Sequence, residues 1–446
     1  MNKVKLLLQC VVLCSLFFVA CRKDDSTSTT TKGKKTSEFT SISINQWIKL
    51  NLDLVKTTPG YTPPVASRSF GYIGVGLYET VAPGIPNSKT MVGQLNGLSS
   101  LPLPDYTKEY DWNVATDAYF ENILPLFFPT AIAAEKDSII TLVTKNKSNY
   151  GSVNADVVAR SQEFGKTMAK AIYNWSVTDV IGHEGYTKNF PAGYAAPSGA
   201  AYWQPTSAQL IPLQPYWGTV RPFMPNVLTL ALPPAPIPFS TDLTSIFFKE
   251  ANTVYETSKI LTEDQKSIAK YWADGGGTVT PPGHSVSIMN QLMLENKLTL
   301  DVAAATYAKL GIGLADAFIC CWKAKYTYNL LRPETYIKKY IDKDWKPLIA
   351  TPPFPEYTSG HATQSGAMAV VLSDVFGTNY AFADKTNINR KDINGLPRLY
   401  KNIMAAATEA SASRLYGGIH YPNGNAKGIQ SGMQIGQQVL ALKFRQ

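Results

Sequence analysis

The sequence predicts an all-α protein, two packed helical bundles joined by a long irregular crossover. Three observations predict it. Apolar residues recur at helical spacing from about Ile42 onward, and strand-like alternation is scarce. A Pro-, Gly- and aromatic-rich region, Pro191–Pro238, cannot be regular helix and parts the helical segments into two sets. The 446 residues, 45% hydrophobic and 17% charged, suffice for a large core. That balance excludes a mostly disordered chain and a coiled coil.

Taken in order, the chain opens with Lys3 and Lys5, then an apolar run from Leu6 to Ala20. A charged start, a short apolar stretch and small residues before the cut mark a secretory signal. Cys21 resembles the acylated cysteine of a bacterial lipobox, with Phe18 where Leu is usual. The resemblance implies removal of residues 1–20 and lipid on Cys21, an anchor that does not span the bilayer. Lys23-Asp24-Asp25 resembles a surface-export signal of bacterial lipoproteins. The expected location is therefore extracytoplasmic, lipid-anchored to a bacterial membrane, with the outer membrane favoured. Residues 21–41, rich in Ser, Thr and Lys, read as a flexible tether. No later stretch is read as long enough to span a membrane.

Helical spacing places the N-terminal half in residues 42–238. Its segments begin at Trp47 to Val55 and continue near Gly71–Val81, Trp112–Leu126, Ala131–Thr144 and Ala155–Trp175. The C-terminal half, residues 239–446, carries Leu243–Thr257, Glu263–Trp272, Val286–Leu294, Leu300–Leu331, Ala362–Phe376, Tyr400–Tyr416 and Ile429–Phe444. Cys10 and Cys14 leave with the signal. Cys320 and Cys321 are adjacent and would point about 100° apart on a helix, so no ordinary disulfide between them is expected. The net charge of +9 falls to about +7 without Lys3 and Lys5. That mild excess suits an anionic substrate, and no nucleic-acid-binding motif is present.

Chemistry concentrates in the second half. In Pro352-Pro353-Phe354-Pro355-Glu356-Tyr357-Thr358-Ser359-Gly360-His361, the prolines exclude helix before Ser359, which is a natural N-cap. A helix N-terminus bearing a hydroxyl, a glycine amide and an imidazole makes an oxyanion seat. Arg414 and His420 stand six apart, and Gly417-Gly418 between them can end the helix and turn the chain so that both meet one ligand. Lys325 and Arg332, seven apart, would share nearly one helix face before Pro333. Two cations on an otherwise apolar face are costly to bury without an anion between them.

In order, Lys325-x6-Arg332-Pro333, Ser359-Gly360-His361 and Arg414-x5-His420 resemble the signature of the type 2 phosphatidic acid phosphatase and vanadium haloperoxidase superfamily. Tyr202-Trp203-Gln204-Pro205-Thr206, Pro215-Tyr216-Trp217-Gly218, Arg221-Pro222-Phe223, Pro281-Pro282-Gly283-His284 and Asp316 through Trp322 are similar to the bacterial haloperoxidases, so the resemblance covers roughly residues 45–440. It implies that Lys325, Arg332, Ser359, the Gly360 N–H and Arg414 hold the oxygens of vanadate or phosphate. It makes His420 the axial group that ligates vanadium or attacks phosphorus, and His361 the acid–base group. Trp322 and Phe354 fall where chloroperoxidase-like members line a halide pocket. With vanadate as cofactor, hydrogen peroxide and halide are the implied substrates. Without a cofactor, a small phosphate ester is the substrate and His420 the phosphorylated nucleophile.

Two departures stand out. Thr358 replaces the usual Pro, and Gly424 stands where the family has the Asp that orients the second histidine. Asn423, Asn425 or a backbone carbonyl is expected to substitute. Failing that, the chain would be an inactive surface-anchored scaffold. His183 and His284 are read as structural.

Overall fold

The computed structural model describes residues 31–445. The proposed signal and Cys21 lie outside those residues. Fifteen α-helices, five three-residue 3-10 helices and one two-stranded ribbon are the regular elements of the described residues. The first part comprises α1 (Ile42–Thr57), α2 (Pro63–Val81), α3 (Trp112–Phe127), α4 (Ala133–Lys147), α5 (Ala155–Val177) and the short α6 (Val180–His183) and α7 (Val227–Ala231). The second comprises α8 (Ile246–Lys259), α9 (Glu263–Tyr271), α10 (Thr280–Glu295), α11 (Leu300–Tyr328), α12 (Pro333–Tyr340), α13 (Gly360–Phe376), α14 (Ile403–Tyr416) and α15 (Pro422–Ala441). An antiparallel ribbon, β1 (Phe382–Asp384) with β2 (Arg398–Tyr400), lies between α13 and α14.

The helical class holds, but residue 238 does not separate two cores. One contiguous cluster of buried side chains runs from Ile44 to Phe444 and draws on both halves. Helix α11 explains this. Its small residues let it lie close against α2, so that a Cβ at Gly311 would come within 2.5 Å of the Phe70 carbonyl oxygen. On its other flank it packs on α13 and α15. By length and composition α11 could cross a membrane, contrary to the reading that no later stretch could. It is the central core helix instead, with 83% of its apolar window buried.

The tether ends sooner than its composition suggests. Thr36 donates a hydrogen bond to the Gly84 carbonyl, Trp112 donates to that of Lys34, and Phe39 packs on the core. A few buried contacts outweigh a Ser/Thr/Lys composition here. The Pro191–Pro238 crossover is irregular, as expected, and is tied down at the points that matter for the site. Asp316 of α11 accepts from the Phe223 and Met224 N–H groups, Trp203 N–H donates to the Asn329 carbonyl, and Leu213 N–H donates to that of Pro353.

A candidate oxyanion site

Helix α11 stops at Tyr328, three residues before the expected end, because Asn329 adopts a left-handed conformation (φ 47°). Arg332 is therefore not on the helix face of Lys325. It is the extended N-cap residue of α12. The turn, rather than a two-turn helical spacing, brings the two cations together.

Both are fully buried and committed. The Lys325 ammonium donates to the carbonyls of Pro355 (2.9 Å), Glu356 (2.8 Å) and Thr358 (2.5 Å), which uses all three of its hydrogens. Arg332 donates through Nε to the Phe354 carbonyl and through Nη1 to that of Ile419 and to His420 Nε2 at 3.1 Å. Its Nη2 is buried without a partner. Arg414, in the last turn of α14, donates through Nη1 to the Trp272 carbonyl, and its Nε is likewise buried and unpartnered. Gly417-Gly418 does break the chain after Tyr416, with Gly418 at φ +76°, and this aims Arg414 and His420 into one space.

Ser359 caps α13 as expected, accepting from the Ala362 N–H. Its hydroxyl hydrogen and the Gly360 N–H at the start of the helix remain as donors. The Tyr357–Thr358 peptide, where the family's proline is replaced, is cis.

The orienting group for His420 is neither Asn423 nor Asn425 nor a carbonyl. It is Glu356, whose Oε1 lies 2.7 Å from His420 Nδ1 and also accepts from the Tyr421 N–H. Gly424 makes room for it: a Cβ on Gly424 would stand 2.3 Å from Glu356 Oε1. The carboxylate that orients His420 thus stands on the loop before Ser359 and not four residues after the histidine. The one signal for it in the sequence was an acid inside an apolar Pro/aromatic run. Because the Arg332 guanidinium can only donate to Nε2, that nitrogen carries a lone pair and Nδ1 carries the hydrogen given to Glu356. Burial, with Arg332, Lys325 and Arg414 nearby, holds the His420 pKa well below the ordinary imidazole range. Neutral His420 therefore presents an Nε2 lone pair among three cations.

Trp322 and Phe354 are walls of this site, their rings 5.1 Å apart. The Lys325 ammonium lies 5.1 Å and the Arg332 guanidinium 4.9 Å from the Phe354 centroid, within cation–π range. They face a cavity of about 510 Å³, also lined by Phe190, Leu213, Gly360, His361, Arg414, His420 and the glycine loop at residues 275–277.

His361 opens onto the same cavity, and its Nε2 lies 3.6 Å from Asp274 Oδ2. His284, read as structural and separate, belongs to this neighbourhood. Its Nδ1 lies 3.0 Å from both Asp274 oxygens, and its Nε2 lies 2.8 Å from Asp384. Burial alone would lower its pKa, but Asp274 and Asp384 overcome that and raise it to about 10. Because the folded value is raised, this group's contribution to stability is complete below its unfolded value of 6.5 and is lost as pH climbs through about 10. Urea midpoints measured from pH 6.5 to 10 should therefore fall more steeply than those of Asp384→Asn; equal slopes would sink the assignment. His183 is half-buried against Tyr173, away from the site.

The unpartnered guanidinium nitrogens, the Gly360 amide and a cationic excess fit a tetrahedral oxyanion. A crystal structure described as the first bacterial vanadium-dependent iodoperoxidase superposes with a TM-score of 0.82 at 30% identity, covering 93% of this chain and 100% of the other. This chain belongs to the vanadium haloperoxidases. A family model described as the VCPO second helical-bundle domain matches residues 305–445, from within α11 to the end of α15 and beyond. An apo-type bacterial vanadium-dependent chloroperoxidase shares the haloperoxidase fold at 15% identity, TM-score 0.64, over 86% of this chain and 93% of the other. The vanadium chloroperoxidase of Curvularia inaequalis is 31% identical over 124 residues. That match takes in 22% of this haloperoxidase chain but only 20% of the length of that enzyme.

Proposed function

We propose that the protein is a vanadate-dependent haloperoxidase that oxidises halide, iodide foremost, with hydrogen peroxide. The observation that carries the reading is the neutral His420, held by Glu356 with its Nε2 lone pair inward, beside guanidinium donors that have no partner. Arg332, Arg414, the Ser359 hydroxyl and the Gly360 N–H would hold vanadate, with His420 Nε2 as its protein ligand. Lys325 would act mainly through its charge, since its hydrogens are engaged. When bound, vanadate supplies Lewis-acid activation of peroxide toward halide.

The chain's own residues do the rest. Charge-assisted hydrogen bonds from the two arginines would orient the oxyanion and offset the cost of burying three cations. Glu356 keeps His420 in its Nε2-lone-pair tautomer. His361, at the N-terminus of α13, is placed to take and return the peroxide proton from the cavity side. The Trp322–Phe354 wall keeps water from the approaching halide. The iodoperoxidase named above supports iodide as the first halide to test. We also propose that lipid on Cys21 anchors the enzyme outside the cytoplasm.

Phosphate-free protein titrated with orthovanadate tests the reading. Peroxide-dependent iodide oxidation should rise saturably with vanadate, and His420→Ala should abolish it, at least 10³-fold down, roughly the loss of an essential catalytic group. Hydrolysis of para-nitrophenyl phosphate that vanadate inhibits, with no halide oxidation, would move the protein to the phosphatases of the superfamily.

A further inference from the structure

The mechanism above uses His361 but leaves the buried charges behind it unexplained. Asp274, His284 and Asp384 are all enclosed: His284 and Asp384 are 0% exposed and Asp274 only 4%. His284 holds both Asp274 and Asp384 below the ordinary carboxylate range, and an imidazole between two ionised carboxylates satisfies both only with a hydrogen on each nitrogen. The ring is fixed further by stacking on Trp272, 4.3 Å between centroids at 17°, and the Trp272 carbonyl in turn holds Arg414. Asp384 is held from its own side by the Thr386 N–H. The cluster is therefore anion–cation–anion, with one negative charge in excess.

That excess has a direction. Asp274 Oδ2 lies 3.6 Å from His361 Nε2, which is buried and has no hydrogen-bond partner, so a shift of a few tenths of an ångström would make the bond. With Nε2 turned inward to Asp274, Nδ1 is the His361 nitrogen left for the cavity. We propose that Asp384, His284 and Asp274 are positioning residues for His361: the His284 cation keeps Asp274 ionised and aimed at Nε2, which fixes His361 as the Nε2–H tautomer and leaves the Nδ1 lone pair to face the cavity. Its functional meaning rests on the reading of His361 as the acid–base group. No proton travels along the cluster; its charges are static. Arg414, the other charged group near Asp274, opposes a positive charge on His361, while Asp274 favours it. Burial and Arg414 outweigh Asp274, so His361 is held neutral, its pKa lowered to about 4.

The tautomers can be read directly in the full-length chain labelled with ¹⁵N-histidine, which contains only four histidines. His183→Gln and His361→Gln identify their signals by loss. We expect His284 to show two protonated nitrogens from pH 6 to 9, and His361 a hydrogen on Nε2 at pH 7. A neutral His284 at pH 7, or a His361 hydrogen on Nδ1, would overturn the proposal. The kinetic arm uses Asp384→Asn, on the far side of His284 from the cavity. Iodide-oxidation kcat should fall severalfold, with half-saturation by vanadate moving less than twofold. Equal losses in kcat and vanadate affinity would mean a merely structural cluster and would also overturn it. If the native chain oxidises no halide, the spectra still decide the tautomer, and the failure falls on the proposed activity instead.

Discussion

Glu356→Ala should cut vanadate-dependent iodide oxidation by about 10- to 100-fold, the usual range for removing the carboxylate behind a ligating histidine. The carboxylate both selects the His420 tautomer and offsets Lys325 and Arg332. Gly424→Asp alone should be at least as damaging, because its Cβ would overlap Glu356 Oε1 and set two carboxylates against each other. The double variant Glu356→Ala with Gly424→Asp should regain activity to within about tenfold of the native chain, since one carboxylate again stands beside His420 Nδ1. Steady-state rates at saturating vanadate for all four proteins complete the cycle. A double variant no better than the worse single would refute the idea that Glu356 took over a displaced role.

The second large effect concerns stability. Lys325→Met should lower the unfolding free energy by about 3–5 kcal/mol, in the range for removing one partner from a buried charged network. Three carbonyls, of Pro355, Glu356 and Thr358, would lose their donor at once, each at about 1–3 kcal/mol. Relief from burying the ammonium offsets part of that sum. Urea unfolding gives the value, and an unchanged midpoint would show that the loop before Ser359 holds without the lysine. Lys325→Arg should not rescue, because a planar guanidinium cannot point at three carbonyls converging on one nitrogen.

Much of this was legible in the chain. Helical class follows from spacing alone, and the Ser359 cap and the Gly417-Gly418 break are local rules that need no tertiary information. The misses share a cause. Helix α11 read as running to Leu331, because nothing in Tyr328-Asn329-Leu330 forbids helix; a left-handed Asn329 is chosen by the crossover strand, where Trp203 and Ala201 bond the carbonyl of Asn329 and the amide of Leu331. Glu356 and Asp274 carry no spacing signal relative to the histidines they serve. Glu356 lies 64 residues from His420, and Asp384 100 from His284, so only the packed fold pairs them. Thr36 and Phe39 dock for the same reason, through partners distant in sequence.

Helix α11 sitting in both halves at once has a bearing on descent. Its Gly311 meets α2 and its Lys325 braces the loop that carries Glu356 and Ser359. A gene fragment encoding the active-site half alone would expose the apolar flank of α11 that α2 covers, so moving the catalytic constellation as a cassette carries the cost of covering that flank anew. Change in such a chain must come in place, one compensated residue at a time, and a carboxylate on the loop before α13 facing a glycine in the first turn of α15, with the histidine between them unmoved, is an arrangement such a constraint permits.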